Sequence, residues 1–275
     1  MRIRINDVWR TFNGRGDPVI ALQGINLAVG EGEFVCLVGP SGCGKSTLLD
    51  LIAGLQQPTH GDISLEPAEG SRPVLIFQEA ALFPWLTVLG NVEFGLRVRK
   101  VPRAQRRRIA MAQLALVRLQ QFTHAWPHQL SGGMKQRAAI ARALALDPPV
   151  LLMDEPFAAL DAQSRDIMHQ ELQRIWAETG KTIVFVTHNV REAVCLADRV
   201  VLMTARPGRV KDLLTVDLPR PRSVSDPALA PTIQLALEHL RDEIAKVEQS
   251  EFDSGWSYQE ARLLPAGVGD LAVGG

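Results

Sequence analysis

A glycine-rich segment between a predicted strand and a predicted helix constrains this 275-residue chain more than any other feature. Residues 39–47 read GPSGCGKST and match the pattern G-x-x-x-x-G-K-[ST]. The apolar run Phe34–Val38 precedes the segment, and a helical pattern over Lys45–Ala53 follows it. Glycines let backbone amides turn toward phosphate oxygens without Cβ clashes, and the start of a helix adds positive dipole. The segment therefore predicts a phosphate-binding loop.

Each residue of this loop is a candidate for nucleotide binding: Gly39, Pro40, Ser41, Gly42, Cys43, Gly44, Lys45, Ser46 and Thr47. We expect Lys45 to reach the β- and γ-phosphates, Ser46 to ligate Mg²⁺ and Thr47 to contact the α-phosphate side. Cys43 lies at a helix start beside Lys45, which predicts a lowered thiol pKa. The alternative for Cys43 is a small residue that only fills space.

The rest of the chain alternates between short runs rich in Val and Ile and segments of helical period. This alternation predicts an α/β fold with a mostly parallel sheet. Besides Phe34–Val38, the predicted buried strands are Val74–Phe77, Val150–Met153, Ile183–Thr187 and Val200–Met203. A second helical pattern covers Gln163–Glu178, and a helical insertion is predicted from about Val88 to Leu119. A proline-rich linker after Pro219 leads to an amphipathic helix that includes Ile233 and Val247.

Two acidic residues, Asp154 and Glu155, follow the predicted strand Val150–Met153. In a parallel sheet, ligands bind at the carboxyl ends of the strands. We expect Asp154 to hold the hydration shell of Mg²⁺ and Glu155 to polarise an attacking water.

The charge balance and the apolar runs exclude several classes of protein. Thirty Lys and Arg balance thirty Asp and Glu, so a chain-wide basic footprint for nucleic acid is absent. The apolar runs are all shorter than the roughly 18 residues of a membrane helix, and the first residues lack a signal-peptide core. Three cysteines without a CxxC pair fit a reducing compartment. We therefore expect a soluble cytosolic chain.

Further motifs, together with the phosphate loop and the acidic pair, resemble the ATP-binding cassette (ABC) proteins. Residues 130–137, LSGGMKQR, look like the signature sequence of that family. Gln78 looks like the Q-loop glutamine, Ala159–Asp161 like the D-loop, and His188 like the switch histidine. All of them occur in the order of the family, and the resemblance covers residues 1–215.

The resemblance implies a P-loop NTPase core with a mostly parallel sheet, an antiparallel β subdomain, an inserted helical subdomain and a C-terminal helix. The expected ATPase domain is 1–220, with the helical subdomain at about 85–145. The linker and C-terminal amphipathic helix are expected at 221–250, and a flexible tail at 251–275.

The resemblance also implies an ATPase that uses ATP and Mg²⁺. Glu155, His188 and Gln78 are the expected catalytic residues, and Ser46, Gln78 and Asp154 the expected metal ligands. Ser131, Gly132, Gly133 and Asp161 are expected to contact nucleotide across a head-to-tail dimer, because one chain already encloses its phosphates with the first loop. Phe12 is the expected partner for adenine, with Trp9 as the rival.

Residues 81–88, ALFPWLTV, together with DEPF at 154–157 and ARPG at 205–208, resemble the nitrate, sulfonate and taurine importer branch. This likeness implies separate transmembrane permease subunits, a solute-binding protein that acts indirectly, and a peripheral location on the cytoplasmic face of the inner membrane. Within 81–88, Phe83–Leu86 is either core of the helical subdomain or part of a groove for the permease. The partner subunit is expected to be a second copy, with a paralogue as the alternative.

A basic run between positions 97 and 108 raises an alternative, an ABC-type ATPase that acts on nucleic acid or another non-transport partner. Its members are Arg97, Arg99, Lys100, Arg103, Arg106, Arg107 and Arg108. The interval between Lys45 and Ser131 has neither heptads nor CxxC pairs, so we expect a solvated face and no nucleic acid. A nucleotide kinase or GTPase is disfavoured because LSGG is present and NKxD is absent.

Overall fold

The computed structural model describes residues 1–13, 17–66 and 72–253. Within them the strands are β1 (Arg2–Phe12), β2 (Val19–Val29), β3 (Phe34–Val38), β4 (His60–Glu66), β5 (Val74–Ile76), β6 (Val150–Asp154), β7 (Thr182–Thr187), β8 (Arg199–Met203) and β9 (Val210–Thr215). The helices are α1 (Lys45–Ile52), α2 (Val88–Val98), α3 (Arg103–Leu116), α4 (Gly132–Ala145), α5 (Ala162–Thr179), α6 (Val190–Leu196) and α7 (Ala230–Asp253).

The main sheet has the strand order β5-β6-β7-β3-β8-β9. Its strands pair in parallel except β9, which runs antiparallel to β8. Every residue of β3 and β7 is buried, as expected for central parallel strands covered on both faces. The predicted α/β architecture is confirmed, and the carboxyl ends of β3, β6 and β7 lie side by side.

A second sheet, with the order β2-β1-β4, is antiparallel. In β1 the buried residues Ile3, Ile5 and Val8 face the core, and exposed residues lie between them. This sheet confirms the antiparallel subdomain that the family resemblance implied. It brings Phe12 opposite Val19, so that the end of β1 lies beside the start of β2.

Three helices, α2, α3 and α4, lie between β5 and β6 in the chain. Their apolar faces join one buried cluster with the main sheet, and this cluster includes Val92, Leu96, Leu114 and Ile140. The inserted helical subdomain is therefore present, built on burial of one face of each helix.

The C-terminal helix α7 packs on the main sheet through Ile233, Ala236 and Leu240, which are all buried. Glu243 anchors it, because its carboxylate accepts hydrogen bonds from the Ala205 amide at 3.0 Å and from Lys211 Nζ at 2.9 Å. The helix continues to Asp253, and the remainder of the predicted tail, 254–275, lies outside the described residues. In the described part of the chain, no helix combines the length and apolarity needed to cross a membrane.

Candidate nucleotide site

A cavity of about 800 Å³ lies at the carboxyl ends of β3, β6 and β7. It brings together residues that are far apart in the sequence. The residues that line it are Phe12, Val19, Ala21, Ser41, Gly42, Cys43, Gly44, Lys45, Ser46, Thr47, Gln78, Asp154, Glu155, His188 and Arg206. The structure thus gathers most of the predicted phosphate, metal and catalytic residues around one space.

The loop between β3 and α1 forms the floor of this cavity. Lys45 Nζ donates hydrogen bonds to the carbonyls of Gly39 at 2.8 Å and Pro40 at 2.9 Å. Gly44, just before α1, has φ 99°, and a Cβ atom there would lie 2.7 Å from Leu22 Cδ2. Only glycine fits this backbone and this space, and no side chain caps the amides at the start of α1. The loop therefore has the open amides and the cation that phosphate oxygens require.

Asp154, at the end of β6, lies close enough to Ser46 for its carboxylate to interact with the Ser46 hydroxyl. Burial raises the pKa of the Asp154 carboxyl, and the negative charges of Glu155 and Asp50 add to this rise, whereas Ser46 and Lys45 lower it. A divalent cation at this place would stabilise the charged form of the carboxyl. The hydroxyl, carboxylate and amide oxygens of Ser46, Asp154 and Gln78 are the hard donors that Mg²⁺ prefers.

No cluster of three or more His, Cys, Asp or Glu side chains suited to a metal ion occurs in residues 1–13, 17–66 and 72–253. Mg²⁺ usually keeps several waters and takes further ligands from substrate phosphates, so it needs few protein ligands. The sparse oxygen set beside the phosphate loop therefore fits Mg²⁺ better than a metal that needs a closed protein cage.

Glu155 and His188 face each other across the ends of β6 and β7. His188 Nδ1 lies 2.9 Å from Glu155 Oε2, and the Glu155 amide donates to the Val186 carbonyl at 3.0 Å. Glu155 has φ 41°, a left-handed conformation that a residue with a Cβ rarely adopts. Such strain is characteristic of functional positions, where the surrounding hydrogen bonds hold it.

The two candidates for adenine stacking occupy different surroundings. Phe12 lines the cavity, and its ring lies 4.6 Å from the guanidinium carbon of Arg10. Trp9 instead donates its indole N–H to Asp7 Oδ1 at 2.9 Å and is not part of the cavity lining. The geometry favours Phe12.

The signature and D-loop residues do not line this cavity. Ser131 caps α4, with its hydroxyl accepting from the Met134 amide at 3.3 Å, and Asp161 caps α5 by accepting from the Ser164 amide at 2.9 Å. Ser131 and Gly132 are exposed. These residues are therefore free to contact a molecule outside the cavity of their own chain.

The prediction of a lowered thiol pKa at Cys43 is wrong. The residue is fully buried, and this burial raises the thiol pKa even though Lys45 acts in the opposite direction. A Cβ atom on Gly39 would come within 2.9 Å of Cys43 Sγ, so the thiol fills space beneath the loop.

Three lining residues were not among the predicted site residues. Val19 and Ala21 belong to β2 and reach the cavity because β2 pairs with the end of β1. Arg206 donates to the Gly42 carbonyl at 3.4 Å. Arg206 stands in the ARPG motif, which was the one signal that could have drawn attention to it.

A separate apolar groove of about 570 Å³ lies between β5 and the helical subdomain. Phe83 and Phe94 line it with ring centroids 4.4 Å apart, beside the exposed Phe77 and Val98. Phe83 thus belongs to the groove, while Trp85 projects from the same segment with 68% of its surface exposed.

The basic run follows α2 and α3, and most of its side chains are exposed. Arg106 pairs with Glu93 at 3.5 Å, and Arg99 donates to the Leu146 carbonyl at 2.9 Å. The run therefore forms a solvated helix surface with some of its charge already satisfied.

Comparisons with known proteins agree with this geometry. The family model described as ABC transporter matches residues 22–158. The nitrate import ATP-binding protein NrtD of Synechocystis is 48% identical over 223 residues, which cover 80% of this chain and 84% of NrtD. The taurine import ATP-binding protein TauB of Chromobacterium violaceum is 46% identical over 223 residues, covering 80% of this chain and 85% of TauB.

The fold matches that of a solved dimeric ATP-binding cassette, MJ0796, captured in a post-hydrolysis state with ADP and Pi. The TM-score is 0.69 at 34% identity, and the match covers 78% of this chain and 99% of that structure. With the phosphate loop, the acidic strand end and the signature helix in one chain, this protein belongs to the ABC transporter family and is an ATP-hydrolysing cassette of that family.

Proposed function

We propose that this ATPase powers the import of a small solute with an anionic group, such as nitrate or a sulfonate like taurine, through separate membrane subunits. The observation that carries the ATP-hydrolysing part of the proposal is the cavity in which Lys45, Asp154, Glu155 and His188 meet. The names of NrtD and TauB support an importer. Their similar identities, 48% and 46%, favour neither solute over the other.

The phosphate loop holds the triphosphate of ATP. Lys45 has a buried ammonium that hydrogen-bonds loop carbonyls, and the same charge can turn to phosphate oxygens of the β and γ groups. The amides at the start of α1 add donors with fixed geometry. Phe12 offers a ring at the edge of the cavity for the adenine base.

Glu155 accepts the proton of the attacking water, and His188 orients the Glu155 carboxylate through the 2.9 Å contact to its Oε2 atom. His188 is exposed enough to meet the γ-phosphate from the same position. Ser46, Gln78 and Asp154 supply oxygen donors for Mg²⁺, which when bound neutralises charge on the phosphates.

A second copy of the chain completes the site. Ser131–Gly133 and Asp161 lie outside the cavity of their own chain, at the starts of α4 and α5, and all of them except the half-buried Gly133 are exposed. In a head-to-tail pair, each signature would face the γ-phosphate held by the other chain. The dimeric state of the similar cassette MJ0796 supports this arrangement.

The apolar groove beside α2 is the proposed docking place for a cytoplasmic helix of a permease subunit. Exposed Phe77 and Val98 and the neighbouring Trp85 give it more apolar surface than a lone cassette needs. The chain would then be a peripheral protein on the cytoplasmic face of the membrane, and a solute-binding protein would act only through the permease.

Nucleotide dependence is tested first with Lys45→Ala. We expect loss of binding of a fluorescent ATP analogue, because without the buried Lys45 ammonium the negative charge of the phosphates is no longer neutralised. Lys181→Ala is the matched control, since Lys181 pairs with Asp147 away from the cavity. Wild-type nucleotide affinity in Lys45→Ala would refute the site.

Import is tested in proteoliposomes that contain the permease subunits which copurify with the chain. ATP-driven uptake of nitrate or taurine is expected, and uptake of neither would refute the proposed solute class. The alternative, a nucleic-acid partner, predicts tight filter binding of DNA or RNA that persists at physiological salt, whereas simple attraction to the basic run would weaken steeply with salt.

A further inference from the structure

A buried hydrogen-bond network lies directly behind the switch histidine. Glu192, in the first turn of α6, is 5% exposed, and its Oε1 atom is 2.7 Å from His169 Nε2. The other carboxylate oxygen accepts the hydroxyl hydrogen of Thr187. His169 is 3% exposed and lies on α5, the helix that Asp161 caps. The network therefore links two helices beneath the catalytic edge of the sheet.

The network holds both neighbours of His188. Thr187 donates to Glu192, and its hydroxyl oxygen accepts from the Asn189 amide at 3.0 Å. Asn189 in turn caps α6, accepting from the Glu192 amide at 3.3 Å. With the residues before and after it fixed, the backbone of His188 has little freedom, while its exposed side chain reaches Glu155.

A small polar cavity of about 50 Å³ separates the network from the site. Glu155, Thr187, His188, Asn189 and Glu192 all line it. Glu192 and Glu155 therefore face the same small cavity, and Glu192 acts on the His188 segment through its hydrogen bond with Thr187, the residue before His188.

We propose that His169 is a positioning residue for ATP hydrolysis, which acts through Glu192 and Thr187 to set His188 against Glu155. This inference rests on the proposed roles of His188 and Glu155. It also connects α5, the helix that Asp161 caps, to the residue before His188 through two hydrogen bonds of the Glu192 carboxylate, one with His169 and one with Thr187.

Only one ring nitrogen of His169, Nε2, contacts Glu192. Within the described residues Nδ1 has no hydrogen-bond partner, and the nearest carboxylate oxygen, Asp166 Oδ1, is 3.8 Å away. A single donor directed at Glu192 is therefore sufficient. The amide of a glutamine at position 169 supplies such a donor, whereas leucine fills similar space without one.

The experiment compares His169→Leu and His169→Gln in the full chain, with ATP hydrolysis, binding of a fluorescent ATP analogue and Tm measured for each. We expect His169→Leu to lower kcat about tenfold with KM for ATP changed by less than about twofold, because misplacement affects the reaction and not nucleotide binding. His169→Gln should return kcat to within about threefold of wild type.

Gln173→Leu is the matched control for general loss of stability. Gln173 lies one turn further along α5, is 3% exposed, and exchanges hydrogen bonds with the backbone of Arg222. It should lower Tm comparably yet keep kcat near wild type well below that Tm. If both leucine variants lose kcat in proportion to Tm, or if glutamine at 169 does no better than leucine, the inference is overturned.

Thr187→Val tests the Thr187 part of this link when His169→Leu does not fold, since valine matches threonine in shape and replaces the hydroxyl, with its bonds to Glu192 and Asn189, by a methyl group. The expected result is again a lower kcat at unchanged KM, and a wild-type kcat would overturn the inference. Glu155→Gln distinguishes a failure of the proposed function from a failure of the positioning role of His169. Wild-type hydrolysis in Glu155→Gln defeats the proposed function itself, whereas its loss together with a normal His169→Leu defeats only the positioning role.

Discussion

The N-termini of α1 and α4 differ in whether a side chain caps their first amides. Before α1, Gly44 leaves the first amides without a side-chain cap, and Lys45 lies beside them. Before α4, the Ser131 hydroxyl already accepts from the Met134 amide, and the segment is exposed. The first terminus forms an anion site within its own chain. The second is self-capped and lies outside the nucleotide cavity of its own chain, as the proposed shared site requires.

The largest effect on ATP hydrolysis is expected at Glu155, the proposed acceptor of the proton from the attacking water. Glu155→Gln should lower kcat by about 100-fold or more while ATP binding persists, because the amide cannot accept the proton of the attacking water. The measurement is phosphate release beside analogue binding. Glu178→Gln, which alters an exposed ion pair on α5, is the control and should behave as wild type. Near-normal turnover in Glu155→Gln would contradict the catalytic assignment.

The second prediction examines the α4 terminus. Ser131→Arg should keep nucleotide binding but lower hydrolysis about 10- to 100-fold, because donors to the γ-phosphate of the other chain are lost. Specific activity of the unmodified chain should also rise with protein concentration. Ser225→Arg, at an exposed serine before α7, is the control.

Mixing Lys45→Ala with Ser131→Arg sharpens this test. Each mixed dimer has one site with both defects and one site with neither, so activity should return wherever a single intact site can turn over. Activity that is independent of concentration and unaffected by Ser131→Arg would show that α4 has no role in a shared site.

A smaller effect is expected at the adenine end of the α1 site. Phe12→Ala should raise KM for ATP about five- to tenfold with little change in kcat, since stacking of a base on an aromatic ring contributes roughly 1–3 kcal/mol. Phe12→Tyr should restore the KM. Trp9→Ala serves as the comparison, because its indole bonds Asp7 outside the cavity, and a larger KM change there than in Phe12→Ala would reverse the assignment.

The sequence predicts those parts of the fold and of the site that depend on residues close together in the chain. The phosphate loop directly follows β3, and the Asp154–Glu155 pair lies at the end of β6, so their place at the sheet edge could be inferred from the local sequence pattern. Val19 could not be found this way, because it enters the cavity through pairing of β2 with β1, which is non-local. Cys43 was mispredicted for a related reason. Lys45 is only two residues away in the sequence, but burial dominates the thiol pKa, and the buried cluster that Cys43 joins includes residues as far away in the sequence as Leu22 and Met203.

His169 shows the same limit in another form. In the sequence it is one histidine within a helical pattern, and nothing near it indicates that its partner is Glu192. Its contact with Glu192 depends on the packing of α5 against α6, across 23 residues of chain. Networks of this kind become visible only when the helices are placed.

The smallest effect is expected at α7, which lies beside the phosphate-loop end of the molecule, where Leu240 and Ile244 border a cavity with Gly39 and Pro40. Burial of Glu243 acts to raise its pKa, but hydrogen bonds from Lys211, the Ala205 amide and Lys246 outweigh it and lower the pKa to about 2. A carboxylate with a lowered folded-state pKa contributes stability above its ordinary pKa of 4.5, and this contribution is lost as the pH falls from there toward 2.

Glu243→Gln should therefore lower Tm at pH 7 by about 2–6 °C, as expected for charge-assisted hydrogen bonds worth roughly 1–3 kcal/mol in a chain of this size. Thermal unfolding followed by circular dichroism should show the gap between variant and wild type narrowing below about pH 4.5. Glu238→Gln, on an exposed position of the same helix, is the control and should leave Tm unchanged across this range. A gap that is constant with pH would mean that Glu243 anchors α7 by shape rather than by charge, and that the helix beside the phosphate loop needs no ion pair to hold it.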